Sequence, residues 1–322
     1  MIGEEIGGYT ILENLGTGTM GTVYKAEDLA THRVVAVKVV RSQVLYDREK
    51  RERFLQGLLA AAELKHDKIC PILEIGDEDD DFYVAMPFLK GTTLKQQIER
   101  KRLNWEKALE IALAVGEALA VGHAGGAMHR GLKPANVWLR SDGTVLVTDF
   151  NMARFTEIDR QTGSKVKSDF ADTVIPMAAL AYMSPEQIRG DPLDYRTDIF
   201  SFGVVLYEML SGHHPFESRN SLSRMSAILN ENPSLVSARG RPVPAELDPI
   251  LDKVLAKSPQ NRYQRIDDLL PELRRIRAQS SVPAAQHSDS PGNPEDQPPA
   301  YAAYVLLAAV LILLGLVAYL LL

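Results

Sequence analysis

A single cysteine, Cys70, occurs in 322 residues, so no disulfide can form within one chain and a reducing compartment suits the protein. Basic runs are also missing. With a formal net charge of -6 and no cluster of Lys and Arg to neutralise phosphates, no nucleic-acid partner is expected. The opening residues, Met1-Ile2-Gly3-Glu4-Glu5, lack the basic stretch and apolar run of a secretory leader. Residues 301–322 lack charge altogether. As a helix this run would span about 33 Å, against roughly 30 Å of bilayer hydrocarbon. Tyr301, Tyr304 and Tyr319 fall near its two ends, where amphipathic rings favour the interface, so the run reads as a membrane anchor. Aliphatic residues are scarce just before it. Residues 279–300 are rich in Pro, Ser, Gln and Ala, the composition of a disordered linker.

What remains has the means to build a core, with 45% apolar and 24% charged residues. Residues 9–15, 22–26 and 33–40 alternate apolar and polar side chains, the pattern of antiparallel strands. Between the first two lies Gly16-Thr17-Gly18-Thr19-Met20-Gly21. In dinucleotide-binding folds such glycines open a helix, but here Thr22-Val23-Tyr24, β-branched and aromatic, turn the chain back into a strand. Lys38 closes the third run; on its own a strand lysine reads as solvated. Residues 47–65 read as one amphipathic helix, weakened by about 1 kcal/mol at Gly57 relative to alanine. Residues 69–89 give two more strands around the acidic run Asp77-Glu78-Asp79-Asp80-Asp81, which reads as a solvated turn. From Thr93 the spacing becomes helical, over 94–100 and 105–122. Short strands at 137–139 and 145–148 then flank an Asp142-Gly143 turn.

The stretch Met128-His129-Arg130-Gly131-Leu132-Lys133-Pro134-Ala135-Asn136 resembles the catalytic loop of protein kinases, His-Arg-Asp followed by Lys and Asn, with Gly131 in the Asp position. Further matches lie around it, in order and at the right spacing over residues 9–278. They are the glycine loop followed by Lys38, then Asp149-Phe150-Asn151 for Asp-Phe-Gly and Ser184-Pro185-Glu186 for Ala-Pro-Glu. The helix start Asp198-Ile199-Phe200-Ser201-Phe202-Gly203 and Arg262 complete the series. The resemblance is to bacterial-type transmembrane Ser/Thr protein kinases, Lys133 marking serine/threonine rather than tyrosine specificity. It implies an α+β bilobal fold with a β-rich N-lobe over 9–89 and a helical C-lobe over 90–278. A linker over 279–300 and a single C-terminal transmembrane helix over 301–322 would follow, with the kinase-like domain in the cytoplasm.

ATP and Mg2+ are the cofactors this resemblance implies, together with an unidentified protein partner or substrate. The phosphates would lie under Leu15, Gly16, Thr17, Gly18, Thr19, Met20, Gly21, Thr22 and Val23, with Lys38 on the α- and β-phosphates. Ala36, the gatekeeper Met86, Phe88 and Leu89 would border the adenine, and Trp138 takes the place of the usual smaller aliphatic floor. It either stacks on the base or fills its place. Asn136 and Asp149 would hold magnesium, and Lys133 would serve the catalytic loop. His123 reads as a packed structural histidine, Asp198 as a brace for the loop, and Glu186 with Arg262 as a buried ion pair.

The departures from the family pattern concern one apparatus. Gly131 removes the carboxylate that orients the attacking hydroxyl, and Ala179 removes the Thr hydroxyl that would contact it. Gly57 falls where the family has a Glu paired with the strand lysine. Glu52 and Glu63 lie roughly 140° and 120° around the helix from it, so neither is a replacement. Ser168 and Thr173 read as loop polars, or as phosphorylation sites opposite Arg130. The expected function is therefore a membrane-anchored pseudokinase that binds ATP and magnesium with impaired phosphoryl transfer. The alternatives are an active Ser/Thr kinase with rearranged groups, and an interaction module that binds no ATP.

Overall fold

Alternating apolar residues in the first strands set one face of a sheet against a core, and the computed structural model shows that sheet. It describes residues 1–18, 20–40, 48–78, 81–100, 103–152 and 177–280. Strands β1 (Glu5–Ile6), β2 (Tyr9–Gly18), β3 (Gly21–Asp28), β4 (Val34–Val40), β5 (Glu74–Glu78) and β6 (Asp81–Pro87) form an antiparallel sheet in the order β1-β2-β3-β4-β6-β5. Tyr9, Ile11, Tyr24, Ala26, Val35, Val37 and Tyr83 pack on one face. On the other, Ala36, Val84 and Met86 pack with Leu58 of helix α1 (Arg48–Ala62), Cys70 and Met152. β4 is buried on both faces, as its unbroken valine-rich run requires. β1 extends the N-lobe ahead of residue 9, and its two residues are too few to show periodicity.

The C-lobe is helical. α2 (Leu94–Glu99) starts at a capping box between Thr93 and Gln96, and α3 (Trp105–Ala124) starts at Asn104, whose side chain accepts from Lys107 N. α3 packs on α6 (Arg196–Ser211) and α9 (Ile266–Ser280). α4 (Met177–Leu180), α5 (Pro185–Arg189), α7 (Ser221–Asn230) and α8 (Leu247–Val254) complete the set of helices among the described residues. A second, three-stranded sheet of β7 (Gly91–Thr93), β8 (Val137–Arg140) and β9 (Val145–Val147) lies at the edge of this lobe. One large apolar cluster runs through it, from Ala61 and Leu64 through Leu119 and Phe200 to Ile276. The bilobal protein-kinase architecture expected from the sequence is the one observed.

One expected boundary shifts: helix α9 runs to Ser280, two residues into the stretch read as linker. Gly91–Thr93 forms a short strand with no pattern of its own in the sequence. Thr19, the acidic-turn residues Asp79 and Asp80, Ser168, Thr173 and the linker beyond residue 280 lie outside the described residues, as does the expected anchor at 301–322. Among the described residues no helix is long and apolar enough to cross a membrane.

A buried histidine makes this fold sensitive to acid. His214 donates from Nε2 to the Ala181 carbonyl (2.9 Å), and its Nδ1 accepts from Phe216 N (3.1 Å), so the neutral imidazole satisfies both partners. A second ring proton would face an N–H. Burial, with Arg224 adding to it, pushes His214 down to about 4. Between roughly pH 6.5 and 4 the unfolded chain therefore binds the extra proton and the native chain does not. Stability should fall with pH across that window by up to about 1.4 kcal/mol per unit from this residue. Urea midpoints at pH 7 and pH 5 check this: the difference should shrink in His214→Gln.

Candidate active site

The glycine loop is the hairpin between β2 and β3, with Gly18 opposite Gly21, Thr17 opposite Thr22 and Gly16 opposite Val23. Thr17 and Thr22 share a hydroxyl–hydroxyl bond across it (3.1 Å). Gly21 has no room for a side chain, because a β-carbon there would run into the Val39 carbonyl. Met20, expected over the phosphates, turns its side chain into an apolar cluster with Val40 and Phe82. A long thioether gains more from burial there than from the solvated loop tip. Leu15 is exposed, whereas Val23 packs beside Ala36 and Met86. Ala36 and Met86 face each other across β4 and β6. Leu89 joins their cluster, whereas Phe88 lies under the Lys25 ammonium (5.6 Å).

Lys38 is buried in β4, and its Nζ lies 3.0 Å from Asp149 Oδ2. Burial works to raise the Asp149 carboxyl, but Lys38 outweighs it and holds the group below the ordinary carboxylate range. Lys133 is half-buried nearby. Burial pulls its ammonium below the usual lysine range, with Asp149 opposing and Lys38 assisting. Asn136 is buried; its Nδ2 donates to the Gly131 carbonyl (3.1 Å), and its own carbonyl accepts from Thr148 N (2.9 Å). Of the residues expected on the phosphate side, Lys38 and Lys133 thus share Asp149, and Asn136 is tied to Thr148, the residue before Asp149. Gly57 faces the same region from α1 and carries no carboxylate to it; Glu52 and Glu63 are exposed.

The catalytic-loop backbone is held from outside the loop. Asp198 is fully buried and accepts from His129 N (2.8 Å) and His123 Nε2 (2.9 Å) on Oδ2, and from Arg130 N (2.7 Å) on Oδ1. Its carboxyl, which burial alone would raise, is held low by the His123 hydrogen bond. Arg130 takes a left-handed backbone (φ 63°), while Gly131 stays outside that region. The Gly131 amide donates to His129 Nδ1 (3.3 Å), and the His129 ring packs at a tilt against Phe150 (4.8 Å between centroids). Ala178 and Ala179 lie on α4, where no hydroxyl can reach toward position 131.

Two contributors escape a reading of motifs. Gln187 accepts from Ser184 N with Oε1 and donates from Nε2 to the Arg130 carbonyl, both at 2.8 Å. Its signal was Ser184-x-x-Gln187, a capping box followed by no extra purpose. Asn151 has a left-handed backbone (φ 57°), which asparagine tolerates, and its side chain reaches Gly57. No local pattern signals that contact. Trp138 is half-buried on β8, between Thr93 of β7 and Leu146 of β9. Its neighbour Leu139 packs on the C-lobe core, so strand alternation turns Trp138 to the opposite side.

Comparison with known proteins agrees with this geometry. The model of the protein kinase domain family matches residues 9–271. A probable serine/threonine-protein kinase of Clostridium perfringens is 33% identical over 290 residues, covering 89% of this chain and 41% of that protein. The serine/threonine-protein kinase PknB of Mycobacterium tuberculosis is 34% identical over 273 residues, 83% of this chain and 42% of that protein. The chain thus spans less than half the length of these relatives. Among solved structures, the PknI kinase domain of Mycobacterium tuberculosis superposes with a TM-score of 0.67 at 26% identity, covering 85% of this chain and 98% of that one. The Lys38–Asp149 pair, the braced loop at 128–136 and the match over 9–271 together place the chain in the protein kinase domain family, among relatives that are bacterial Ser/Thr kinases.

Proposed function

We propose that the protein is a pseudokinase that grips Mg-ATP and transfers phosphate poorly. The observation that carries this reading is an asymmetry: Lys38 and Lys133 share Asp149, with Asn136 tied to Thr148 beside it, while the two acceptor-side positions of the family pattern hold Gly131 and Ala179. Asn136 and the anionic Asp149 supply hard oxygen donors of the kind magnesium takes, and the remaining positions would go to phosphate oxygens and water. Bound there, magnesium would neutralise phosphate charge. Lys38 would hold the phosphates from β4, and the hairpin of β2 and β3 would cover them. Without a carboxylate at 131, the loop over 128–136 holds no acid to orient the hydroxyl of a substrate.

Mg-ATP should raise the melting temperature of the purified chain, and Lys38→Met should weaken binding by about 10- to 100-fold by removing a charge-assisted contact. Phosphorylation of itself or of a generic substrate should stay at background. Rapid transfer abolished by Lys38→Met would instead establish an active Ser/Thr kinase. Trp138 favours a second reading, an interaction module without nucleotide, because a bulky ring takes the place of the smaller aliphatic residue expected under the adenine. The absence of any magnesium-dependent shift with ATP would establish that.

Residues 301–322 tether the protein to a membrane in this proposal, with the kinase domain on the cytoplasmic side. The uncharged run and the unpaired, buried Cys70 support it. Protease protection of the kinase domain in sealed, oriented vesicles tests the topology.

A further inference from the structure

Gly57 and Asn151 are 94 residues apart in sequence, and in the fold the Asn151 Nδ2 donates to the Gly57 carbonyl at 3.1 Å. The fit is mutual. A β-carbon on Gly57 would sit 2.7 Å from Asn151 Nδ2, closer than real β-carbons approach, and a tight 3.0 Å from its Cγ. Any side chain at 57 therefore displaces the amide, and the amide occupies the space that a helix carboxylate would need. The carbonyl only accepts, so the NH2 must face it, which leaves Asn151 Oδ1 without a donor among the described residues. The left-handed backbone at 151 aims the side chain at α1.

The segment that carries Asn151 is tied into both lobes. Phe150 is buried in the C-lobe cluster against His129, and Met152 is buried in the N-lobe cluster with Leu58, the residue after Gly57. Asp149, at the start of the segment, pairs with Lys38 directly. Among the described contacts, Lys38 pairs with Asp149 and with no carboxylate of α1. We infer that Asn151 and Gly57 form an uncharged clasp that holds α1 against the Asp149 segment, the task for which a lysine–glutamate pair has no partner here. Asn151 is thus a positioning residue. Because neither member is ionisable, the clasp holds the helix without help from salt, pH or a bound nucleotide.

The test uses the full chain in detergent micelles without nucleotide, so its outcome is independent of whether the cleft binds ATP. Asn151→Gly removes the donor and keeps the backbone conformation. Amide hydrogen exchange over residues 58–62 should then quicken by about fivefold to tenfold, the loss of one hydrogen bond, with α6 unchanged. Asn151→Asp, which turns an acceptor toward the carbonyl, should do the same and serves if the glycine variant folds poorly. Gly57→Ala supplies a change of sign. Alone it should lower the melting temperature, because the new methyl displaces the amide. In the Asn151→Gly background it should raise the melting temperature by roughly 2–4 °C, the ordinary gain of alanine over glycine in a helix. Unchanged exchange in α1, or the same Gly57→Ala shift in both backgrounds, overturns the clasp.

Discussion

Glu186→Ala should lower the unfolding free energy of the chain by about 3–5 kcal/mol, as expected when one member of a buried ion pair is removed. The partner left behind is Arg262, whose side chain has no exposed surface. Its Nη1 and Nη2 donate to Glu186 Oε1 (2.6 Å) and Oε2 (2.7 Å), the two-pronged geometry that makes arginine–carboxylate pairs strong. Its remaining donors go to carbonyls of Ala256, Arg196 and Lys257, and its guanidinium lies over Phe200 at 4.9 Å. Carbonyl dipoles cannot replace a full charge, so truncation strands a cation in the core. Thr197 Oγ1, which donates to Glu186 at 2.8 Å, loses its acceptor as well. Removing both charges should cost less than removing one: Glu186→Leu with Arg262→Met should recover much of the loss, because the desolvation of two ions disappears with them. Urea unfolding of the three variants reads the comparison. A single-mutant cost below about 1 kcal/mol would mean that water reaches the pair.

The pH dependence of the same pair has a defined sign. Burial works to raise the Glu186 carboxyl, and the Arg262 hydrogen bond overcomes it, leaving the group below the usual glutamate value. A carboxylate depressed in the folded state stabilises above its unfolded pKa, and that stability is lost as pH falls through the folded value. Glu186→Ala should therefore flatten the acid limb of the stability profile below about pH 4.5. The His214 effect lies above it, between about 4 and 6.5, so the two contributions are separable on one titration.

Glu186 and Arg262 could be placed from sequence because each matches a motif of the family that the chain resembles, and the same holds for Asp198, Lys38 and Asp149. Strand β3, which alternates, was equally legible; β4 was legible as a strand, although it is buried on both faces and does not alternate. The misses share a cause: they depend on contacts that periodicity does not encode. Gly57 looked like a plain loss of a carboxylate, yet it also makes room for an amide 94 residues away. Asn151 could be read for its backbone and not for its side chain, since a tolerance for left-handed φ does not say where the amide points. Met20 sits within a loop pattern that specifies backbone approach to phosphates, and its side chain went instead to the nearest apolar cluster. β1 and β7, of two and three residues, are held by pairing with longer strands rather than by their own pattern.

Gly131→Asp should raise phosphoryl transfer by about 10²–10⁴-fold over the natural chain, the typical worth of a positioned general base. The expectation rests on how the loop is held. Asp198 grips the His129 and Arg130 amides, Gln187 grips the Arg130 carbonyl, and Asn136 grips the Gly131 carbonyl. None of these bonds uses a side chain at 131, so the backbone there is already set by its neighbours. Gly131 does not have the left-handed φ that would penalise a β-carbon. A carboxylate at 131 would also add an acid beside Asp149, the carboxylate that Lys38 and Lys133 now share, which should raise the depressed Lys133. Two absences remain in that variant, at Ala179 and Gly57. Adding Ala179→Thr should increase the rate further by supplying the hydroxyl that the new carboxylate would contact. Gly57→Glu should not, while Asn151 fills the space the longer side chain needs. Initial rates with Mg-ATP and a generic protein substrate, measured beside the Mg-ATP melting shift, separate the cases. A background rate in Gly131→Asp with the shift retained would locate the defect in the placement of α1 and α4 rather than in the missing carboxylate.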